Sequence, residues 1–363
     1  MLKIVTVVGA RPQFIKAAAV SRAIGDSYSD RIKEVIVHTG QHYDENMSQV
    51  FFDELDIPRP CYNLEIAGGN HGLMTGRMLE AVEKVLLAEK PDGVLIYGDT
   101  NSTLAGALAA AKLHVPVAHV EAGLRSFNMR MPEEVNRIVA DRLSTLLFCP
   151  TEIAVRNLQR EGTINGVQNV GDVMFDVAIF YREVARQQSE VLKKLSLTGV
   201  DFALVTCHRA ENTDDPRRLG EIVAALAELS RELEIVFPLH PRTRKLLADT
   251  GLAESLGNVK VIDPVPFLDM VALEQAAKLI LTDSGGVQKE AFFYGVPCVT
   301  MRDETEWVET VELGWNCLVG ASRTVICNAA RACLAEPLRP ASESPYGDGQ
   351  AAKKIVASIL SNF

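Results

Sequence analysis

No CxxC pair occurs among the seven cysteines, which are odd in number and scattered. Cys149, Cys298, Cys317 and Cys327 lie in apolar runs, where cysteine behaves as a small hydrophobe. A disulfide framework and a zinc centre are therefore not expected. The apolar run that opens the chain, within "MLKIVTVVGARPQ", extends over about seven residues, against roughly 20 for a helix that crosses a bilayer. It also lacks a signal-peptide pattern, so the expectation is a cytoplasmic protein with no membrane partner. Basic charge is not in excess. The net charge of −10 argues against a nucleic-acid partner, but a local basic cluster on an acidic protein still suits an anionic ligand. Low-complexity tracts and repeats of 20 to 50 residues are missing. There is no GxGxxG, so a dinucleotide cofactor is not supported. No His, Cys, Asp or Glu cluster has metal-ligand spacing, and no nucleophile elbow is present. Neither a metal nor a cofactor is expected.

What is present is a full core. The 363 residues are 47% hydrophobic and 23% charged, enough for two domains of ordinary size. Short apolar β-branched runs alternate with helical patterns: "KIVTVVG", "EVIVHTG", "GVLIYGD", "VAHVEAG" and "LLFCPT" in the first half. The rhythm restarts with "FALVTCHR", "EIVFPLH", "VKVIDPV", "KLILTDSGG" and "PCVTMRD". Apolar strands alternating with helices imply parallel sheets covered on both faces. The predicted fold is α/β: two Rossmann-like doubly wound domains facing a cleft, residues 1–170 and 171–346. "NVGDVMFD" (169–176) is the linker, and the last helix, within 347–363, is predicted to return to the first domain.

Ligands bind at strand C-termini in such sheets, and there the polar residues cluster. In "GARPQFIK", Arg11 and Lys16 flank a helix start, as an anion clamp or as solvated bases. Asp99 follows "GVLIY", as a helix cap or a catalytic acid. Glu121 comes directly off an apolar strand, where a carboxylate needs a task or a partner. Glu133 and Glu134 follow Pro132, as site residues or as first-turn acids. His208 and Arg209 end a strand beside Glu211. Cys207 reads as core. His240 and Arg242 end the next strand, as a phosphate or uracil contact or as a basic turn. Ser284, Gly285 and Gly286 offer a hydroxyl and free N–H groups at a helix start, a ready anion site. Glu290, assigned to the first turn of that helix, suits neutral hydroxyls such as a ribose diol.

Together "GARPQFIK", "GDTNSTLAG", "HVEAGLRS", "MPEEVNR", "TCHRAEN", "HPRT", "DSGGVQKEA" and "PYGDGQA" resemble the non-hydrolysing UDP-N-acetylglucosamine 2-epimerases, from residue 1 to about 358. The resemblance implies the two-domain architecture of a large glycosyltransferase class (GT-B-like). It also implies a UDP-sugar substrate bound through the second domain, a homodimer, and inversion at C2 by elimination and re-addition of UDP. By that resemblance Asp99, Glu121 and Glu133 are the catalytic carboxylates. His208 contacts the diphosphate and assists its departure. Arg11 and Lys16 correspond to phosphate and domain-closure residues; Ser284, Gly285 and Gly286 to the diphosphate turn; and Glu290 to the ribose-binding acid. Arg209 and His240 are counted with the substrate-binding groups.

The chain departs from the common pattern in two places. It reads "TEWVE" where many members read "TERPE", so Trp307 stands for an arginine. It reads "NMRMPEE" where others are of the "SPWPEE" type. "FFYGVPCVTMRDETEWVE" is closer to the branch acting on UDP-2,3-diacetamido-2,3-dideoxy-glucuronic acid, used in O-antigen synthesis. The extra sugar carboxylate wants a cation, and Arg130 is the candidate. Gln41, Glu134 and Arg209 match part of an activator site of some bacterial members. The arginine expected near "AGGNHG" is missing, so activation by a second UDP-sugar is not expected. The rival readings are a glycosyltransferase of the same architecture, a hydrolysing 2-epimerase, and a non-catalytic UDP-sugar sensor.

Overall fold

The computed structural model describes residues 1–41, 58–335 and 344–363. It divides into two units, Met1–Val177 with Ser344–Phe363, and Ala178–Glu343. In the first unit, seven strands pair in parallel in the order β3-β2-β1-β4-β5-β6-β7. They are β1 (Leu2–Val8), β2 (Ile32–His38), β3 (Tyr62–Asn63), β4 (Gly93–Tyr97), β5 (Val117–Val120), β6 (Leu146–Cys149) and β7 (Val167–Asn169). Helices α1 (Arg11–Ser27), α2 (His71–Glu89), α3 (Asn101–Lys112), α4 (Pro132–Leu143) and α5 (Glu152–Arg160) accompany them. Strands β4, β5 and β6 are buried along their whole length, as a parallel sheet covered on both faces requires. Val5, Val7, Val94 and Ile96 pack with Val82, Val85 and Leu86 of α2 and Ala107 and Ala110 of α3. Each such valine or leucine contributes about 1.5–3 kcal/mol on burial. The alanine-rich α3 lies close to the sheet, and a Cβ on its Gly106 would stand 3.1 Å from Ile96 Cγ2.

The second unit repeats the scheme with six parallel strands in the order β10-β9-β8-β11-β12-β13. They are β8 (Phe202–Thr206), β9 (Glu234–Pro238), β10 (Lys260–Ile262), β11 (Leu279–Thr282), β12 (Cys298–Thr300) and β13 (Asn316–Leu318). The chain leaves the first unit inside helix α6 (Val173–Gln188). It then forms α7 (Val191–Lys194), α8 (Ala210–Thr213), α9 (Pro216–Leu229), α10 (Pro241–Asp249), α11 (Phe267–Ala276), α12 (Gly285–Tyr294), α13 (Val308–Glu312) and α14 (Arg323–Ala335). Its core joins Val205, Leu281 and Val299 of the sheet to Leu219, Ile222 and Leu226 of α9 and Ile326 of α14.

Residues 170–174, within the stretch read from sequence as a linker, are buried, and α6 begins among them. The last helix, α15 (Ala351–Asn362), packs on α1 in the first unit. Asp176 holds its start, accepting from Ala351 N (3.1 Å) and Ala352 N (2.8 Å). Burial pushes the Asp176 carboxyl up to about 6 against these two bonds. The ring of Phe363 lies over β4, so close that a Cβ on Gly93 would meet it at 2.3 Å. The seven cysteines are free thiols, and Cys149, Cys207, Cys298 and Cys327 are buried. No helix among the described residues is long and apolar enough to cross a membrane.

Candidate active site

In both sheets the strand order reverses beside the first strand, between β1 and β4 and between β8 and β11. Such a switch point opens a crevice at the strand C-termini. The candidate residues of each unit gather there.

At the first switch point, Gln13 closes the turn after β1. Its Oε1 accepts from Gly9 N (2.8 Å) and Ala10 N (3.1 Å), and its Nε2 donates to the Tyr97 carbonyl (2.8 Å) and Thr103 Oγ1 (2.9 Å). Gly9 is required, because a Cβ there would lie 2.1 Å from both Ser102 Oγ and Thr39 Oγ1. Arg11 opens α1; its side chain lies outside the described residues. Lys16, one turn further on, forms an ion pair with Glu121, and both side chains are almost wholly buried. Glu121 follows β5 with φ +71°. A non-glycine residue held there costs about 1–3 kcal/mol and persists only where its surroundings impose it. A Cβ on Gly98 would stand 3.3 Å from Glu121 Oε2 and 3.5 Å from Lys16 Nζ, so the turn before Asp99 runs close against this pair.

Asp99 is not the helix cap. Thr100 caps α3 by accepting from Thr103 N, and the Asp99 carboxylate pairs instead with Arg137 of α4. Arg137 also reaches Glu134 at 3.0 Å. Glu134 is buried and accepts from Ser126 N (2.9 Å), Ser126 Oγ (3.1 Å) and Phe127 N (2.9 Å). It fixes the loop that carries Arg130, whose side chain is exposed. Glu133 occupies the first turn of α4, half-buried, and makes no hydrogen bond or ion pair among the described residues. Three carboxylates thus stand on neighbouring elements, two of them against a cation. Gln41, matched by resemblance to an activator site, accepts from Ser102 N (3.1 Å) and Ser102 Oγ (2.8 Å).

At the second switch point a buried carboxylate is the hub. Asp283, fully buried after β11, accepts from His208 N (3.0 Å), Arg209 N (3.0 Å) and Asn212 Nδ2 (3.2 Å). The His208 ring is 45% exposed, with Nδ1 3.6 Å from Asp283. Burial pushes its pKa below the ordinary imidazole value; Asp283 opposes the shift, and Arg209 and His240 add to it. At neutral pH the ring is therefore uncharged. His240 caps α10 by accepting from Arg242 N (3.2 Å), and its ring centroid lies 6.4 Å from that of His208.

Ser284 precedes α12 without a side-chain cap bond, so the N–H groups of Gly285 and Gly286 open the helix. Around Gly285 stand Trp307 Nε1, Arg209 and Glu306, at 3.4, 3.8 and 3.8 Å from where a Cβ would be. Arg302, 1% exposed, holds Glu306 at 3.0 Å. Burial raises the Glu306 carboxyl, but Arg302, a backbone N–H and Arg209 together outweigh it, so the carboxyl ends below the usual range. Glu290 is the sixth residue of α12 and so sits in its second turn, a correction to the first-turn reading. Burial pushes the Cys207 thiol far up, which leaves it a core residue. A cavity of about 340 Å³ in this unit is lined by Ala203, Leu229, Leu279 and Arg331 at the N-terminal ends of β8 and β11, away from the candidate residues.

Arg137, His119, Asp141 and Asp283 carry the site without having been assigned roles from sequence. A signal existed for two of them, Arg137 and Asp141. Glu134, Arg137 and Asp141 share a face of α4 at i, i+3 and i+7, and that face is buried.

The family model described as UDP-N-acetylglucosamine 2-epimerase matches residues 27–360, and the chain belongs to that family. It is similar to the UDP-2,3-diacetamido-2,3-dideoxy-D-glucuronate 2-epimerase of Pseudomonas aeruginosa, 56% identical over 98% of each chain. It is also similar to the UDP-N-acetylglucosamine 2-epimerase of Methanocaldococcus jannaschii, 45% identical over 98% of each. Among solved structures, the M. jannaschii enzyme in complex with UDP-GlcNAc and UDP superposes with TM-score 0.89 at 44% identity, over 99% of each chain. The Neisseria meningitidis UDP-GlcNAc 2-epimerase bound to UDP-GlcNAc gives TM-score 0.90 at 32% identity, over 99% of this chain and 100% of that one.

Proposed function

We propose that the protein inverts C2 of a UDP-2-acetamido sugar by eliminating UDP and adding it back. The observation that carries this is the pairing of each strand-end carboxylate with its own cation, Glu121 with Lys16 and Asp99 with Arg137. In the forward half, a carboxylate of the Asp99, Glu121 and Glu133 set takes the C2 proton. The C1–O bond breaks and its electron pair leaves on the β-phosphate oxygen, giving a glycal and UDP. In the return half, UDP oxygen bonds C1 and a second carboxylate delivers a proton to the other face of C2. Positioned acids and bases of this kind contribute about 10²–10⁴-fold each. The second unit's groups serve the leaving group. The N–H groups of Gly285 and Gly286, the Ser284 hydroxyl, Arg209 and uncharged His208 receive the developing charge on the diphosphate, and Glu290 takes the ribose hydroxyls. A glycosyltransferase needs a nucleotide site but no set of proton-transfer carboxylates.

The preferred sugar in this reading is the 2,3-diacetamido-2,3-dideoxy-glucuronate, as in the P. aeruginosa relative. Arg130, exposed on the loop fixed by Glu134, meets the sugar carboxylate. The protein acts as a cytoplasmic homodimer in surface-polysaccharide synthesis, and light scattering of the purified protein tests the dimer. Proton NMR of both UDP-sugars with the enzyme in heavy water tests the reaction. Deuterium enters C2 as the epimer appears, and an unlabelled C2 refutes epimerisation. Arg130→Ala is expected to cost about tenfold or more in kcat/KM on the uronate and little on UDP-GlcNAc; equal effects on both sugars refute the role.

A further inference from the structure

His119 lies in the middle of β5 and is fully buried. Its Nε2 stands 2.7 Å from the Gly98 carbonyl, which only accepts, so Nε2 carries a proton. Its Nδ1 stands 2.8 Å from Asp141 Oδ1. The other Asp141 oxygen accepts from Gly123 N (3.2 Å) and Arg125 Nη1 (2.7 Å). Asp141 is thus an acceptor on both oxygens, and Nδ1 donates as well. Arg125 is locked in turn by Glu161 at 2.7 Å.

The two groups that the ring grips belong to the two strand-end turns of the site. Gly98 immediately precedes Asp99, and its N–H donates to the Val120 carbonyl (3.0 Å), immediately before Glu121. Gly123, held through Asp141, closes the turn that Glu121 opens. Gly98, Glu121 and Gly123 all adopt left-handed backbone, with φ of +60°, +71° and +81°. Turns of that kind persist only where their surroundings over-determine them, and one imidazole supports both.

We infer that His119 is a positioning residue, which sets the placement of the Asp99 and Glu121 carboxylates through the Gly98 carbonyl and through Asp141 without touching substrate. This rests on the epimerase reading above. Acid–base groups require placement to within about 0.5 Å. The ring supplies it by joining the ends of β4 and β5 across their shared edge.

The test separates the two ends of the ring. His119→Gln keeps a donor where Nε2 was, facing Gly98; His119→Asn keeps one where Nδ1 was, facing Asp141. With H119N, kcat for C2 inversion is expected to fall about 100-fold while KM and UDP affinity stay within about threefold. H119Q is expected to recover about tenfold of that loss at an equal melting temperature. Asp141→Asn, read the same way, lowers kcat more than UDP affinity and keeps the question answerable if H119N does not fold. Equal losses in H119N and H119Q that track their melting temperatures would overturn the inference, as would unchanged kcat in D141N. A parent protein that exchanges no deuterium at C2 overturns the epimerase reading and the inference together. Normal exchange in the parent and in H119N overturns the inference alone.

Discussion

The two switch points use opposite electrostatics to the same end. In the first unit the strand-end groups are acidic and the partners beside them are cationic, Lys16 against Glu121 and Arg137 against Asp99, with the His119 ring bridging the Gly98 carbonyl and Asp141 below them. In the second unit the exposed chemistry is a set of N–H groups, an imidazole and a guanidinium, and the support is one buried carboxylate, Asp283. Each hub is opposite in charge to what it presents. The reason is energetic. A charge taken out of water is tolerated when close partners of opposite sign satisfy it, and removal of one partner leaves the other uncompensated. The residues that present chemistry and those that support it therefore depend on one another.

Three substitutions break or sharpen this contrast. The largest effect is expected in the first unit. Glu121→Gln removes the carboxylate and leaves buried Lys16 facing an amide, and kcat/KM for C2 inversion should fall about 10³-fold. UDP affinity, measured by calorimetry, should hold, and a drop in turnover of less than tenfold would contradict the assignment.

Asp283→Asn strikes the other hub. It weakens acceptance from His208 N and Arg209 N, and UDP affinity should fall about tenfold, equivalent to about 1.4 kcal/mol. The same change carries a pH signature. The parent His208 protonates only below its ordinary value, so the acid limb of kcat lies below about pH 6.5. Asp283 is the group that holds that value up, so its loss moves the limb to lower pH. A limb that moved up, or stayed, would show that another group titrates there.

The smallest effect lies outside both sites. Asp176 binds its proton more tightly folded, at about 6, than an unfolded aspartate does. The folded state then holds more protons between the two values, and stability falls as pH rises from about 4 to 6. Asp176→Asn removes that slope. Melting curves should show the variant gaining on the parent as pH rises through this range, and parallel curves would refute it.

The strand–helix alternation was legible in sequence because parallel strands buried on both faces read as continuous apolar runs. Strands β3, β7 and β13, of two or three residues each, were not read. The acids after β4 and β5 stood out because a carboxylate leaving an apolar strand is unusual. Their partners did not, since Lys16 meets Glu121 across 105 residues and Arg137 meets Asp99 across 38. His119 was hidden for a different reason: one polar residue in a four-residue apolar strand gives no periodic signal. Asp99 as a cap was a local reading that lost to its neighbour, because Thr100 takes the cap and frees the acid for a distant guanidinium.

The glutamine folded over the start of α1 has one more consequence. Its amide oxygen occupies the N–H groups of Gly9 and Ala10, and Pro12 brings none. Two of the N–H groups at that helix end are thus already taken within the chain. The start of α12 has no such plug. At the proposed pyrophosphate site the start of α12 therefore offers unplugged N–H groups, whereas at α1 Gln13 already holds two of them.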